Sequence, residues 1–229
     1  MQKKIKVILQ ARTGSKRLYG KVLLPICGIS LVVLCWKRLK KKNFDITVAI
    51  PKNKEDNKLA IILKKNKIKF FRGEKKNVLS RFQKITSKMH SNEDIVRVTA
   101  DNPIVDGFFL SKVYSIFKAY KFEYFSAHDN LVFSPYGLQV EVFKVKHLRE
   151  KIIQSNHNLE HVTPSIRNKY KSKKKINLKN LKDFRNLRIT IDTKRDYKKI
   201  KNIFKVSFND YKKNYLDLLR NYHKSLIKN

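Results

Sequence analysis

Arg12, Lys16, Arg17 and Lys21 are four cations within ten residues, interleaved with Gly14, Ser15 and Gly20. Glycine lets the backbone approach a ligand, backbone N–H groups donate to phosphate oxygens, and Arg and Lys neutralise the remaining charge. That combination is chemistry for holding a polyphosphate. Two commoner phosphate loops are excluded by spacing. A Walker A loop has four residues between its glycine and Gly-Lys, then Ser or Thr; here five residues separate Gly14 from Gly20-Lys21, and Val22 follows. The dinucleotide pattern G-x-G-x-x-G is absent as well. The same residues also allow a solvated turn between a strand and a helix. In either reading Lys21 is expected at the surface, where its truncation changes stability little.

Only 18 residues are acidic against 54 Lys and Arg, so their placement is informative. Asp101, in Val98-Thr99-Ala100-Asp101-Asn102-Pro103, and Asp192, in Ile189-Thr190-Ile191-Asp192-Thr193, each follow an apolar run of strand length. Ligands of open α/β sheets sit outside the carboxyl ends of the strands. The two carboxylates and the cationic loop are therefore expected to share one crevice, where hard oxygen ligands suit Mg²⁺ bridging nucleotide phosphates. The alternative is that each Asp is the N-cap of the helix after it. Two further polar stretches stand out. Gln139 and Glu141 share one face of an alternating strand, and Glu160-His161-Val162-Thr163-Pro164 sets two ionisable groups at an expected helix start. There Glu160 alternatively does no more than complement the helix dipole.

These groups need a scaffold, and hydrophobic periodicity supplies one. Strands are expected at 4–10, 46–50, 68–72 and 95–99, alternating with helices at 30–41 (Ser30 as N-cap), 55–66, 77–90 and 106–120. Four such alternations predict an α/β fold with a largely parallel sheet and helices on both faces. Beyond residue 123 the rhythm changes: strands at 124–127 and 139–143, helices at 146–156 and 160–168, a solvated charge run at 169–175, a strand at 187–191, and helices at 193–204 and 209–229. The reading is one domain over residues 1–208, with 123–175 as an insertion, and a helical tail over 209–229.

Composition narrows the function classes. The chain has 229 residues, 41% of them hydrophobic, enough for a sizeable core. No apolar run is long enough to span a bilayer, and the charged amino terminus lacks the apolar stretch and cleavage site of a signal peptide. Cys27 and Cys35 form neither a metal spacing nor a disulfide framework, so a reducing cytoplasm is expected and no membrane partner. The net charge of +36 suggests nucleic acid, yet 42 of the 54 cations are lysines scattered along the chain. Lysine, isoleucine and asparagine share A/T-rich codons, so genome composition suffices to explain the surplus. Neither a basic stripe nor an RNP-type aromatic motif is present, which argues against a specific nucleic-acid partner.

Taken in order, Gln10–Leu23, Phe71-Arg72-Gly73, Asn77-Val78-Leu79, Val96–Pro103, Gly137–Phe143, Glu160–Pro164 and Ile191-Asp192-Thr193 resemble the sugar-acid cytidylyltransferases. The resemblance is nearest to the spore-coat polysaccharide branch, with acylneuraminate and 3-deoxy-manno-octulosonate cytidylyltransferases as relatives, and covers residues 5 to about 204. It implies the Rossmann-like nucleotide-diphospho-sugar transferase fold, a three-layer α/β/α arrangement with a mixed, mostly parallel sheet. It implies CTP and a sugar acid as substrates, Mg²⁺ as cofactor, and a homodimer paired through residues 123–175. Ala11, Arg12, Gly14, Ser15, Lys21, Arg72 and Asp101 would bind the nucleotide, and Asp101 and Asp192 the metal. Arg12, Lys21, Asp101 and Asp192 would carry catalysis, with Gln139, Glu141, Glu160 and His161 around the acceptor. Three departures are visible: Tyr19 where the family usually has Pro, Ala100 where it has Gly, and Gln139 where it has Asp. The first two bear on loop stiffness, the third on acceptor identity. A glycosyltransferase or another sugar nucleotidylyltransferase of the same fold is the alternative, although no D-x-D pair occurs; a non-catalytic anion-binding protein is the third class.

Overall fold

The run Ile5-Lys6-Val7-Ile8-Leu9-Gln10 forms β1 (Ile5–Gln10), with Val7, Ile8 and Leu9 wholly inaccessible to solvent. A strand buried on both faces reads as a continuous apolar run, and successive side chains enter opposite layers. Val7 and Leu9 join one hydrophobic cluster and Ile8 the other. The computed structural model describes residues 4–150, 156–204 and 212–227. Its other strands are β2 (Pro25–Ile26), β3 (Ile29–Ser30), β4 (Phe44–Pro51), β5 (Phe70–Gly73), β6 (Asp94–Thr99), β7 (Tyr124–Ser126) and β8 (Glu141–Lys144). The helices are α1 (Leu31–Leu39), α2 (Asn57–Lys65), α3 (Val78–Ile85), α4 (Gly107–Ala119), α5 (Ala127–Asn130), α6 (Asn156–His161), α7 (Pro164–Tyr170), α8 (Lys194–Ile203) and α9 (Tyr215–Ile227).

Six strands form one sheet in the order β5-β4-β1-β6-β8-β7. The first four are parallel, and β8 runs antiparallel to both β6 and β7. This is the expected mixed, mostly parallel α/β sheet. Gln10 is level with Ala49 of β4 and Thr99 of β6, so the chains leaving these strands emerge side by side. One face of the sheet carries the larger cluster, to which α1, α2, α4, α8 and α9 contribute; Tyr215, Leu218, Leu219 and Tyr222 of α9 are buried in it. The other face is covered by Val78, Leu79 and Phe82 of α3 together with Val162 and Ile166. Among the described residues no helix is long and apolar enough to cross a membrane, and Cys27 and Cys35 form no disulfide.

Several expected elements end or break differently. Residues 187–191 are not a sheet strand. Both edges of β6 are already paired, with β1 and β8, and the segment instead exchanges bonds with Tyr136, whose N–H donates to Leu187 O and whose carbonyl accepts from Ile189 N. The expected helix over 160–168 is two. Val162 takes φ +69° and Pro164 opens α7, because proline has no N–H to continue a helical ladder. Glu160 and His161 therefore end a helix rather than start one. Helix α3 stops at Ile85, where the Thr86 hydroxyl turns back onto Phe82 O, so it does not reach residue 90. Ser30 precedes α1, but its hydroxyl makes no capping bond. Residues 145–149 form a 3₁₀ turn; the rest of the helix expected over 146–156 lies mostly outside the described residues, as does the start of the one expected over 209–229.

Candidate active site

The cationic loop is built around one buried threonine. Thr13 donates through its N–H and its hydroxyl to Asp56 Oδ1, at 2.8 and 2.9 Å, and its carbonyl accepts from Ser15 N and Gly20 N. Gly20 sits at φ +69°, a left-handed conformation that side chains with a Cβ avoid. It delivers Lys21 into a short 3₁₀ turn, Lys21–Leu23, with the side chain pointing inward. Lys21 is only 8% exposed. The surface position expected for it is therefore corrected: a buried ammonium needs acceptors, and the fold provides three. Its Nζ donates to Asp101 Oδ2 at 2.8 Å, Asp192 Oδ1 at 3.1 Å and Ile191 O at 2.8 Å.

The two aspartates reach that ammonium from different parts of the chain. Asp101 follows β6, whose extension is held to β1 by the bond from Ala100 N to Gln10 O. Asp192 arrives on the segment 187–191 that is bonded to Tyr136, stitched to the first aspartate by Ile191 N donating to Asp101 O at 2.9 Å. Gly137 makes this approach possible: it adopts φ +108°, and a Cβ there would stand 2.5 Å from Thr190 N. Neither aspartate is a helix cap. Thr193 caps α8 in a capping box with Asp196, and Asp106 caps α4 by accepting from Phe109 N. Asp192 instead receives Lys21 and Arg17 (3.0 Å) on Oδ1 and Arg188 (2.9 Å) on Oδ2.

A cavity of about 370 Å³ opens above this pairing, lined by Ala11, Arg12, Ser15, Lys21, Asp101, Glu160 and Asp192, with Gln10, Lys16 and Arg17 beside them. The convergence expected of the loop and the two carboxylates is thus what the chain adopts. Arg12 pairs with Glu160 at 3.2 Å, with both side chains about half exposed, a contact too solvated to add much stability. Gly14 and Arg72 do not line the cavity. Gly14 lies against Glu55, and Arg72 Nη2 donates to Asn53 O and Asn57 Oδ1. Beneath the loop, Arg81 is wholly buried. Burial, and then repulsion by Arg12, lower its pKa to about 10, so it stays charged near neutrality and adds to the positive field.

A second cavity, of about 470 Å³, is lined by Arg97, Ser126, His128, Gln139, Glu141, His161, Thr163 and Arg167. A smaller one of about 200 Å³ shares Asp101 and Asp192 with the first and Arg97 and Gln139 with the second, making one path. Glu160 and His161, adjacent in sequence, face different cavities, the first and the second. Glu141 is at the second cavity's edge, but its carboxylate is already committed. It accepts from Arg97, from Tyr124 OH at 2.5 Å and from Thr163 Oγ1 at 2.8 Å. Burial pushes its pKa up, yet Arg97 and the hydroxyl donors outweigh that and hold it below the usual range.

Sequence reasoning took Arg17 only as one cation of the loop and did not single out Arg97, His128, Arg167 or Arg188. For Arg97 and Arg188 a signal existed: each interrupts an apolar run, and an arginine placed there needs an acid opposite. Among the described residues no three His, Cys, Asp or Glu side chains cluster as metal ligands. The donor set here is two carboxylates and one backbone carbonyl, all hard oxygens around one cationic position. That matches the habit of Mg²⁺ of taking one or two carboxylates and completing its shell with phosphates and water.

Comparison with known proteins agrees with this picture. A model of the cytidylyltransferase family matches residues 6–225. The chain is 36% identical over 201 residues to the uncharacterized protein MJ1063 of Methanocaldococcus jannaschii, spanning 85% of this chain and 81% of that one. It is 31% identical over 209 residues to the spore coat polysaccharide biosynthesis protein SpsF of Bacillus subtilis, spanning 86% and 85%. Among solved structures, a cytidylyltransferase from Leptospira borgpetersenii superposes with a TM-score of 0.80 at 24% identity, over 99% of this chain and 96% of that one. A CMP:2-keto-3-deoxy-manno-octonic acid synthetase complexed with CTP gives 0.60 at 14% identity, over 88% and 98%. These two likenesses establish the fold.

Proposed function

Since this chain belongs to the cytidylyltransferase family and is a nucleotidyltransferase, we propose that it transfers CMP from CTP to a hydroxyl of a sugar acid, releasing pyrophosphate, in the making of a surface polysaccharide. The observation that carries the reading is the single cavity in which Arg12, Ser15 and Lys21 face Asp101 and Asp192. CTP takes that cavity. The acceptor takes the second, lined by Arg97, His128, Glu141, His161 and Arg167, in which Arg97 is paired with Glu141 and Arg167 with Asp129. The histidines and the remaining N–H groups of the two arginines can donate to a carboxylate on the acceptor. Gln139, common to the second and connecting cavities, lies between the two substrates.

The reaction is a substitution at the α-phosphorus. The acceptor hydroxyl oxygen forms the new P–O bond, the bond to the β-phosphate breaks, and pyrophosphate leaves with the electron pair. Catalysis of this type is positioning plus neutralisation of developing charge. We assign Arg12 and Lys21 to the phosphate oxygens, Ser15 and the loop backbone to orienting the triphosphate, and His161 to accepting the hydroxyl proton. Asp101 and Asp192 would hold a Mg²⁺ ion. When bound, that ion supplies positive charge to the α-phosphate and lowers the barrier for oxyanion attack.

The test is pyrophosphate release with each of the four nucleoside triphosphates against a panel of eight- and nine-carbon keto sugar acids, for the wild type and Lys21→Ala. CTP is expected to be preferred, and Lys21→Ala to lose on the order of a hundredfold or more in rate. Wild-type turnover by Lys21→Ala would refute the loop as a triphosphate cradle, and turnover with none of these acids would remove the sugar-acid assignment.

A further inference from the structure

Lys21 does more in this fold than face a phosphate. Its ammonium has three N–H donors, and all three acceptors they meet are hard oxygens: Asp101 Oδ2, Asp192 Oδ1 and Ile191 O, at 2.8, 3.1 and 2.8 Å. This is the kind of donor set that suits a divalent cation. We propose that Lys21 is an internal counter-ion competing with the divalent ion for one position between Asp101 and Asp192, so that the metal site forms only when the triphosphate draws Lys21 away. The inference rests on the cytidylyltransferase reading above.

A metal ion and the Lys21 ammonium cannot both occupy the position between Asp101 and Asp192. Mg²⁺ takes oxygens at about 2.0–2.1 Å, and an ammonium held between the same carboxylates repels it at contact distance. The backbone of Lys21 is fixed by Gly20 and the 3₁₀ turn, but the side chain has a flexible four-carbon stem. The way out is the cavity that the stem already lines, where Arg12, Ser15 and Arg17 also stand and where a triphosphate places its negative charge. The two aspartates differ in what the departure costs them. Asp192 keeps Arg17 and Arg188 on its two oxygens, at 3.0 and 2.9 Å. Asp101, whose side chain is 26% exposed, exchanges Lys21 for the incoming ion. Asp101 is therefore the carboxylate whose metal affinity Lys21 controls.

The test reads metal binding rather than turnover. Mn²⁺ alone, without nucleotide, is titrated into the full chain and the free-ion signal followed by electron paramagnetic resonance, for wild type, Lys21→Met, Lys21→Gln, Lys21→Arg and the double variant Lys21→Met with Asp101→Asn. Circular dichroism confirms folding, and Lys21→Gln keeps amide donors to hold the carboxylates together should the Met variant unfold. Both neutral variants are expected to bind Mn²⁺ at least tenfold more tightly than wild type, Lys21→Arg no more tightly, and the double variant to lose the gain. Neutral variants that bind no better than wild type would overturn the proposal, as would a gain that survives Asp101→Asn. Failure of the underlying reading shows separately, as wild-type protein that releases no pyrophosphate from CTP with any sugar acid.

Discussion

Replacing Glu141 separates two roles that look alike in sequence, a substrate ligand and a structural hub. Its carboxylate is bonded to Arg97 of β6, Tyr124 of β7 and Thr163 ahead of α7, so one side chain ties three elements at the second cavity. Both members of the Arg97–Glu141 pair are shielded, with side chains 15% and 14% exposed. Removing one partner of a buried pair costs about 3–5 kcal/mol, because the other charge is left uncompensated. Gln10 Oε1 still accepts from Arg97, at 3.0 and 3.2 Å, which places Glu141→Ala at the lower end, about 3 kcal/mol. For a domain of this size 1 kcal/mol moves the melting temperature by about 2–4 °C, so Glu141→Ala should fall by about 6–12 °C. Glu141→Gln is a finer probe. Its carbonyl oxygen can stay on Arg97 while its amide faces the Tyr124 and Thr163 hydroxyls, which can turn to accept. Only the charge is lost, a difference of about 1–1.5 kcal/mol between charged and neutral hydrogen bonds, or about 2–6 °C. The assay is a calorimetric melt beside KM for each substrate; the KM for CTP should hold and that for the acceptor rise in both variants. A Glu141→Ala protein that melts within 2 °C of wild type while losing acceptor binding would show that Glu141 is a ligand and that the hub reasoning is wrong.

Two further outcomes follow from the same geometry. Gly137→Ala forces a Cβ to 2.5 Å from Thr190 N at a φ of +108°; the strain of about 1–3 kcal/mol should lower the melting temperature, and, because the displaced segment carries Asp192, pyrophosphate release should fall with it. An unchanged melt and rate would mean that the segment is not held as described. Burial raises the Glu150 pKa, but bonds from His147, Lys169 and Tyr170 outweigh that and hold it at about 2, against an ordinary value of 4.5. A depressed carboxyl stabilises the fold above its unfolded pKa and loses that contribution as pH falls towards the folded value. Wild type should therefore melt above Glu150→Gln at pH 7, and the gap should have more than halved by pH 3; a gap that is constant with pH would contradict the assignment.

Local pattern was enough to read much of this chain. Continuous apolar runs marked β1, β4 and β6 because a parallel strand buried on both faces has no polar side to show. The cations between Arg12 and Lys21 marked a loop turned towards one crevice, and Arg12, Lys16, Arg17 and Lys21 do line a common cavity. Asp101 and Asp192 were legible as a pair because both follow apolar runs and acids are scarce. What could not be read was whatever depends on which partner arrives from a distant part of the chain. Lys21 looked exposed until two acids, 80 and 171 positions away, closed over it. Glu141 looked like a ligand because its alternation matched a cavity-facing strand, and only the packing of α7 and β6 supplied the donors that occupy it. Residues 187–191 had the composition of a sheet strand, but the fold sets them against Tyr136, where Gly137 leaves room for their close approach. Periodicity reports whether a residue is buried; the charge that meets it there is set by tertiary structure, because a buried ion is stable only where the fold brings its counter-ion.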